Sequence, residues 1–209
     1  MADILLDVQS MPSTPSAGQA VLSVNTTTKR LVVTDDAGYD RTLGYVNFST
    51  GAQTPTAAAR TYMTGSNIVI PAGTLQVGTL FRWTFDITKT GAGTATSTYD
   101  ICFGTAGTTA DTARVSFTKP AGTAVIDAGQ IVITAVVRGP IGASCVVAGH
   151  FQLTHNLAST GHAVIPCVDV TTVSAAFDVT AVTNIGVCAT TGASDAITTQ
   201  LLIAEAWNL

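Results

Sequence analysis

From Phe81 to Thr88, the stretch Leu80-Phe81-Arg82-Trp83-Thr84-Phe85-Asp86-Ile87-Thr88-Lys89 alternates strictly between apolar and polar side chains. Side chains of a strand point to opposite faces in turn, so Phe81, Trp83, Phe85 and Ile87 share one face and Arg82, Thr84, Asp86 and Thr88 the other. That is the pattern of a half-buried antiparallel strand. Three large aromatics on one face make it the strand on which a core is built, because aromatics bury the most apolar area per residue.

The surrounding composition agrees. With 209 residues the chain has room for one ordinary domain and a small appendage, enough to bury a core without disulfides or metals. Charged residues make up only 11%, and Thr, Ser, Ala and Gly stand in their place. Glu205 is the single glutamate and there are three lysines, so the residues that sustain surface helices are scarce. Thr and Val favour strands, and an all-β protein is predicted. The net charge of −4 and the absence of any basic cluster beyond Lys29-Arg30 argue against nucleic-acid binding. No apolar run approaches the roughly 18 residues of a membrane helix, and no membrane insertion is expected. A mean hydropathy of +0.41 is high for a soluble monomer and is read as surface buried between subunits. Cys102, Cys145, Cys167 and Cys188 each sit in an apolar strand-like run without Cys-x-x-Cys spacing, and are read as buried free thiols. Met-Ala-Asp-Ile-Leu-Leu-Asp at the start has neither the charge nor the apolar length of a secretory signal, which points to synthesis in a cytoplasm.

Three segments follow from the chain's punctuation. Residues 1–45 are expected to form an arm and a β-meander, with strands over 19–24, 29–34 and 39–43 separated by Asn- and Asp-Gly-rich turns. The Ser/Thr/Ala-rich stretch 46–65 carries neither strand nor helix periodicity and is expected to be a linker. Residues 66–209 are expected to hold strands over 67–70, 80–89, 98–103, 112–117, 130–138, 144–155, 163–168, 176–182, 184–189 and 196–207. Short strands at regular spacing with Gly/Pro turns predict an antiparallel β-sandwich, and their number suggests a jelly roll.

The N-terminal pattern carries a resemblance. Pro15, Ala17-Gly18, an apolar strand, Lys29-Arg30-Leu31-Val32-Val33, Asp35-Asp36-Ala37-Gly38 and Arg41-Thr42-Leu43 resemble segments of tailed-bacteriophage fibre and head-appendage proteins. The resemblance covers roughly the first 45 residues. It implies an anchoring segment ahead of a trimeric β-domain, with a major capsid protein or another virion protein as partner.

Residues able to carry chemistry were weighed individually. His150, His155 and His162 lack the i, i+4 spacing of a helical zinc site and are read as exposed or loop histidines; in a trimer, one on the axis would become three. Asp35, Asp36 and Asp40 cluster at Gly38 without the Asp-x-Asp alternation or bidentate Glu of a calcium loop, and read as a solvated turn. Asp86 and Asp100 are placed on neighbouring strands, where they would form the carboxylate pair of a glycoside hydrolase; a solvated face outweighs this. Trp83 is expected in the core and Trp207 at a subunit contact. Neither a Gly-x-Ser-x-Gly elbow nor a phosphate loop occurs. No catalytic residue, metal or cofactor is assigned, and no enzymatic activity is expected.

The resulting expectation is a structural virion protein, a homotrimeric head decoration protein or short head fibre that stabilises the particle and meets the host surface. The alternative is a tail-fibre receptor- or carbohydrate-binding module, with contacts from loops 104–110, 119–129 and 190–195.

Overall fold

The computed structural model describes residues 16–24, 31–34, 40–42, 44–90, 93–156, 160–163, 167–181, 183–192 and 197–209. Every regular element among them is a strand. In chain order these are β1 (Val21–Val24), β2 (Leu31–Thr34), β3 (Asp40–Thr42), β4 (Tyr45–Ser49), β5 (Thr61–Tyr62), β6 (Ile68–Ile70) and β7 (Leu80–Lys89). They continue with β8 (Ser97–Gly104), β9 (Thr112–Lys119), β10 (Asp127–Val137), β11 (Val147–His155), β12 (Cys167–Val173), β13 (Thr183–Thr190) and β14 (Ile197–Trp207).

All strand pairings are antiparallel. One sheet runs β12-β11-β10-β7-β14-β4, a second runs β5-β13-β8-β9 with β6 sharing the β5 edge of β13, and β1-β2-β3 form a small third sheet. The first two face each other across one core, giving the antiparallel β-sandwich expected from the sequence. Its connections include a three-strand meander, β10–β11–β12, and a hairpin, β8–β9, and these pairings do not establish the jelly-roll order.

The aromatic strand lies in the middle of the larger sheet, between β10 and β14. Phe81, Trp83, Phe85 and Ile87 are all at most 1% exposed. Their volume is matched by small neighbours on the same face. Phe81 sits between Ala135 and Ala206 in register, and Trp83 has Ala204 on its β14 side. Alternating large and small side chains lets two flat rows interdigitate at crystal-like density. The opposite layer answers in kind: Tyr99 of β8 lies 6.0 Å from Phe85 and 5.7 Å from Phe151, and Phe117 of β9 stacks on Phe151 at 5.6 Å, centroid to centroid. Gly149 makes that approach available, since a Cβ there would come 2.9 Å from Phe117 Cζ.

Three expectations need correction. Residues 46–65 are not a linker. Tyr45–Ser49 forms the edge strand β4 on β14, Gln53 and Ala57 bridge to Thr199 and Thr191, and β5 pairs with β13. Met63 is fully buried, and the Trp83 indole N–H donates to the Ser66 carbonyl at 2.8 Å. The sandwich thus begins at Tyr45. Val46 and Phe48 alternate with Asn47 and Ser49 but face outward, and the short pieces at 53, 57 and 61–62 are held mainly by backbone pairing on one side. The strand expected over 163–168 is β12, Cys167–Val173, with residues 164–166 outside the described set. The strand expected over 176–182 is absent as a ladder: Phe177 and Val179 are buried, and Phe177 makes a single bridge to Cys145. Alternation there reports one-sided burial, which an unpaired extended segment also achieves.

Phe85→Ala is expected to lower unfolding free energy by about 3–5 kcal/mol in urea titration, since the cavity opens between two sheets that cannot collapse onto it.

Candidate functional site

Two polar clusters interrupt the apolar design. The first closes one end of the core. Lys89 and Lys119 occupy the inward phase of their strands, two residues beyond Ile87 and Phe117, and are at most 1% exposed. The Lys89 ammonium donates to the carbonyls of Thr123 (2.6 Å) and Val125 (3.2 Å), and that of Lys119 to Pro120 (2.9 Å) and His162 (2.8 Å). Asp127, opposite Lys89 in register, places Oδ2 2.9 Å from His155 Nδ1 and accepts the His162 backbone N–H at 2.9 Å. Its Oδ1 accepts the Ala128 N–H, also at 2.9 Å. Burial pushes the Asp127 pKa up, but the His162 and Ala128 N–H groups and the nearby imidazoles more than offset it, and the net shift is downward.

His162 lies in the 160–163 loop segment, within the expectation of exposed or loop histidines, and His155 ends β11; neither side chain is exposed, and their rings are 6.2 Å apart edge-on. Neither ring nitrogen of His162 has a hydrogen-bond partner among the described residues. Burial drives its pKa down to about 4, with Lys119, His155 and Lys89 acting in the same direction and Asp127 opposing them. No group of three or more His, Cys, Asp or Glu suited to a metal ion occurs among the described residues. The cluster acts as a stitch: it draws the 120–126 and 160–163 segments over the sandwich mouth, where Thr123 and Thr160 also bond to each other. The sequence did hold the signal, as both lysines fall on the inward phase of otherwise apolar rows.

The second cluster lies on the outer face of the smaller sheet. Asp100 and Cys102 of β8, Ser116 of β9 and Cys188 of β13 point away from the core there, and Arg60 reaches over them. One Arg60 nitrogen, Nη2, is 2.9 Å from Cys102 Sγ, 3.5 Å from Cys188 Sγ and 3.2 Å from the Asp111 carbonyl. Its Nε is 3.5 Å from Asp100 Oδ2, whose other oxygen accepts the Ser116 hydroxyl at 2.6 Å. Cys102 Sγ donates to the Asp100 carbonyl at 3.5 Å; the neighbouring Cys102 thiol and the Arg60 charge lower the Cys188 pKa despite burial, while the Cys188 thiol and burial raise that of Cys102. Burial alone would lower the Arg60 pKa; the two sulfurs and Asp100 raise it on balance. Beside this cluster Tyr62 donates to Asn67 Oδ1 (3.1 Å), and Asn67 donates to Asn184 Oδ1 (3.0 Å). Gly186 is required beneath, because a Cβ there would run into the Tyr62 hydroxyl. Tyr62, Asn67, Gly107, Thr108 and Thr109 line an open groove of about 420 Å³.

The remaining sequence candidates separate. Asp86 and Asp100 are not neighbours: Asp86 is on the outer face of the larger sheet, accepting from Gln130 Nε2 at 2.9 Å, and Asp100 is on the outer face of the other. They form no carboxylate pair. His150 is half-buried on the larger sheet, in register with Thr134 and Thr171. Trp83 is fully buried and Trp207 is 36% exposed. Cys102, Cys145 and Cys188 are buried free thiols; the Cys167 side chain, Asp35 and Asp36, and the Asp40 side chain lie outside the described residues. Of the loops named for binding, 104–110 rims the groove and 119–129 folds over the buried lysines.

A depressed histidine pKa has a definite sign. The unfolded chain takes up the His162 proton near pH 6.5 and the folded chain only near 4, so the stability present above pH 6.5 is lost as pH falls toward 4. Urea midpoints are expected to drop across that window, and His162→Phe is expected to flatten the drop. The chain matches no family model, no curated protein and no solved structure, so the two clusters and the sheet faces are what bear on its function.

Proposed function

We propose that the chain is a structural component of a tailed-phage virion, exposed on the particle as a head decoration protein or short head fibre and assembled as a homotrimer. Its partners are copies of itself and a major capsid or other virion protein. The work is done by surface burial and calls for no catalytic chemistry.

The observation that carries this reading is the outer face of the larger sheet. On β4 the alternation is inverted relative to a protected edge: Val46 and Phe48 point outward, 52% and 62% exposed. Phe48 lies opposite Ile203, and Trp207, Leu80, Val136, Ala148 and Val173 form a second apolar row on the same face, with Glu205, Arg82, Thr134 and His150 in register between the two. Exposed apolar rows on one sheet face mark an interaction surface, and obligate interfaces are the most apolar class. The resemblance of residues 15–43 to phage appendage segments supplies the setting. The groove beside Tyr62 and Asn67 favours the second reading, a tail-fibre module that binds a host glycan, because its lining offers hydroxyl and amide groups.

Light scattering on the purified chain is expected to give a trimer, and a stable monomer in dilute buffer would overturn that assembly. Phe48→Glu is expected to weaken association by at least about thirtyfold, the effect of a central hot spot of ~2 kcal/mol, with an unchanged β-type circular dichroism spectrum. In purified particles the protein is expected on the capsid; density at the distal tail, or micromolar binding on a glycan array, selects the fibre reading. Deleting residues 1–18 is expected to abolish incorporation and leave the sandwich folded.

A further inference from the structure

We infer that Cys102 and Cys188 form a peroxide-sensitive dithiol, in which one thiolate reacts, the other sulfur resolves and Arg60 is the activating cation. The inference rests on placement. Two thiols from adjacent strands share a single guanidinium nitrogen, at 2.9 Å and 3.5 Å. Cysteines kept only as small apolar filling are surrounded by hydrocarbon; these face away from the core and hold the one arginine that crosses them. Arg60 is itself fixed by Asp100 and by the carbonyls of Thr109 and Asp111, which aim its charge at the sulfurs. The proximity of the cation stabilises thiolate on the pair. The Arg60 side chain, 34% exposed, lies over thiols that are themselves buried.

The chemistry balances with a hydroperoxide as oxidant. The thiolate of one cysteine attacks the distal peroxide oxygen, the O–O bond breaks, and the leaving alkoxide or hydroxide takes a proton. The second sulfur then attacks the sulfenic sulfur, the S–S bond forms, and hydroxide departs with the second thiol's proton as water. Two thiols and one hydroperoxide yield one disulfide, one alcohol (or water) and one water. The two residues are diagonal in register, Cys188 opposite Asp100 and Cys102 opposite Gly186. Diagonal pairs in a sheet lie beyond the usual disulfide span, so closure requires a strand shift. The register irregularity at Ile101/Cys102 is the place where β8 can yield. A disulfide so formed is strained, and strained disulfides are the labile, regulatory ones.

The test uses the full-length folded chain and hydrogen peroxide. Native treatment followed by alkylation and peptide mapping is expected to give a Cys102–Cys188 cross-linked peptide and an intact-mass loss of about 2 Da, reversed by dithiothreitol. In one of the two single variants, Cys102→Ser or Cys188→Ser, dimedone is expected to trap a sulfenic acid on the remaining cysteine, which identifies the reacting thiol, and trapping in neither overturns the inference. Arg60→Gln, at a partly exposed position, is expected to slow oxidation about tenfold near neutral pH and to move the pH–rate profile upward, a change that loss of packing alone does not produce. Absence of the cross-link in the native wild type overturns the inference whatever the variants do. So does dimedone labelling confined to Cys145 or Cys167, or an Arg60→Gln profile identical to wild type.

Discussion

The inward row of β7 sets the dimensions of everything around it. Phe81, Trp83, Phe85 and Ile87 fill one side of the sandwich from its central strand, and the facing sheet is held at the distance that Tyr99, Phe117 and Phe151 require to meet them. Alanines beside the largest rings and glycine at position 149 follow from the same constraint, as close packing leaves no volume for a second bulky row at the same height. The indole of Trp83 extends it further, since its N–H finds the Ser66 carbonyl and so ties the 63–66 segment onto the core.

Where that row runs out, the core ends in charge. An isolated buried ammonium is costly, and here each lysine is satisfied by two carbonyls while Asp127 supplies the countercharge to the same volume. The carbonyls belong to loop segments, so the ammonium groups act as templates for chain that has no ladder of its own. His162 is the unbalanced member, neutral because it is buried among cations, and it makes this end of the molecule sensitive to acid in a way the apolar centre is not.

The two outer faces of the sandwich differ in kind. The larger sheet shows Val46, Phe48, Val136, Val173 and Trp207, with Arg82, Asp86 and Glu205 on the same face. The smaller sheet shows thiols, a guanidinium, a carboxylate and a tyrosine, covered by the chain between β4 and β6.

Much of the fold was legible from local pattern. The Leu80–Lys89 strand was read with its observed bounds and faces, and so was the all-β class, because alternation and composition are local properties of the chain. The edge role of 45–62 was not legible, since backbone pairing leaves no trace in side-chain type. The burial of the His155 and His162 side chains was not legible, because burial at a strand end depends on which loops cross it. The pairing of Cys102 with Cys188, and of both with Arg60, depends on strand order and register across positions far apart in sequence. By itself the sequence determined which residues face inward, because that choice is made two residues at a time. Only the tertiary structure decided which outward-facing groups meet, because that requires knowing which strands are neighbours.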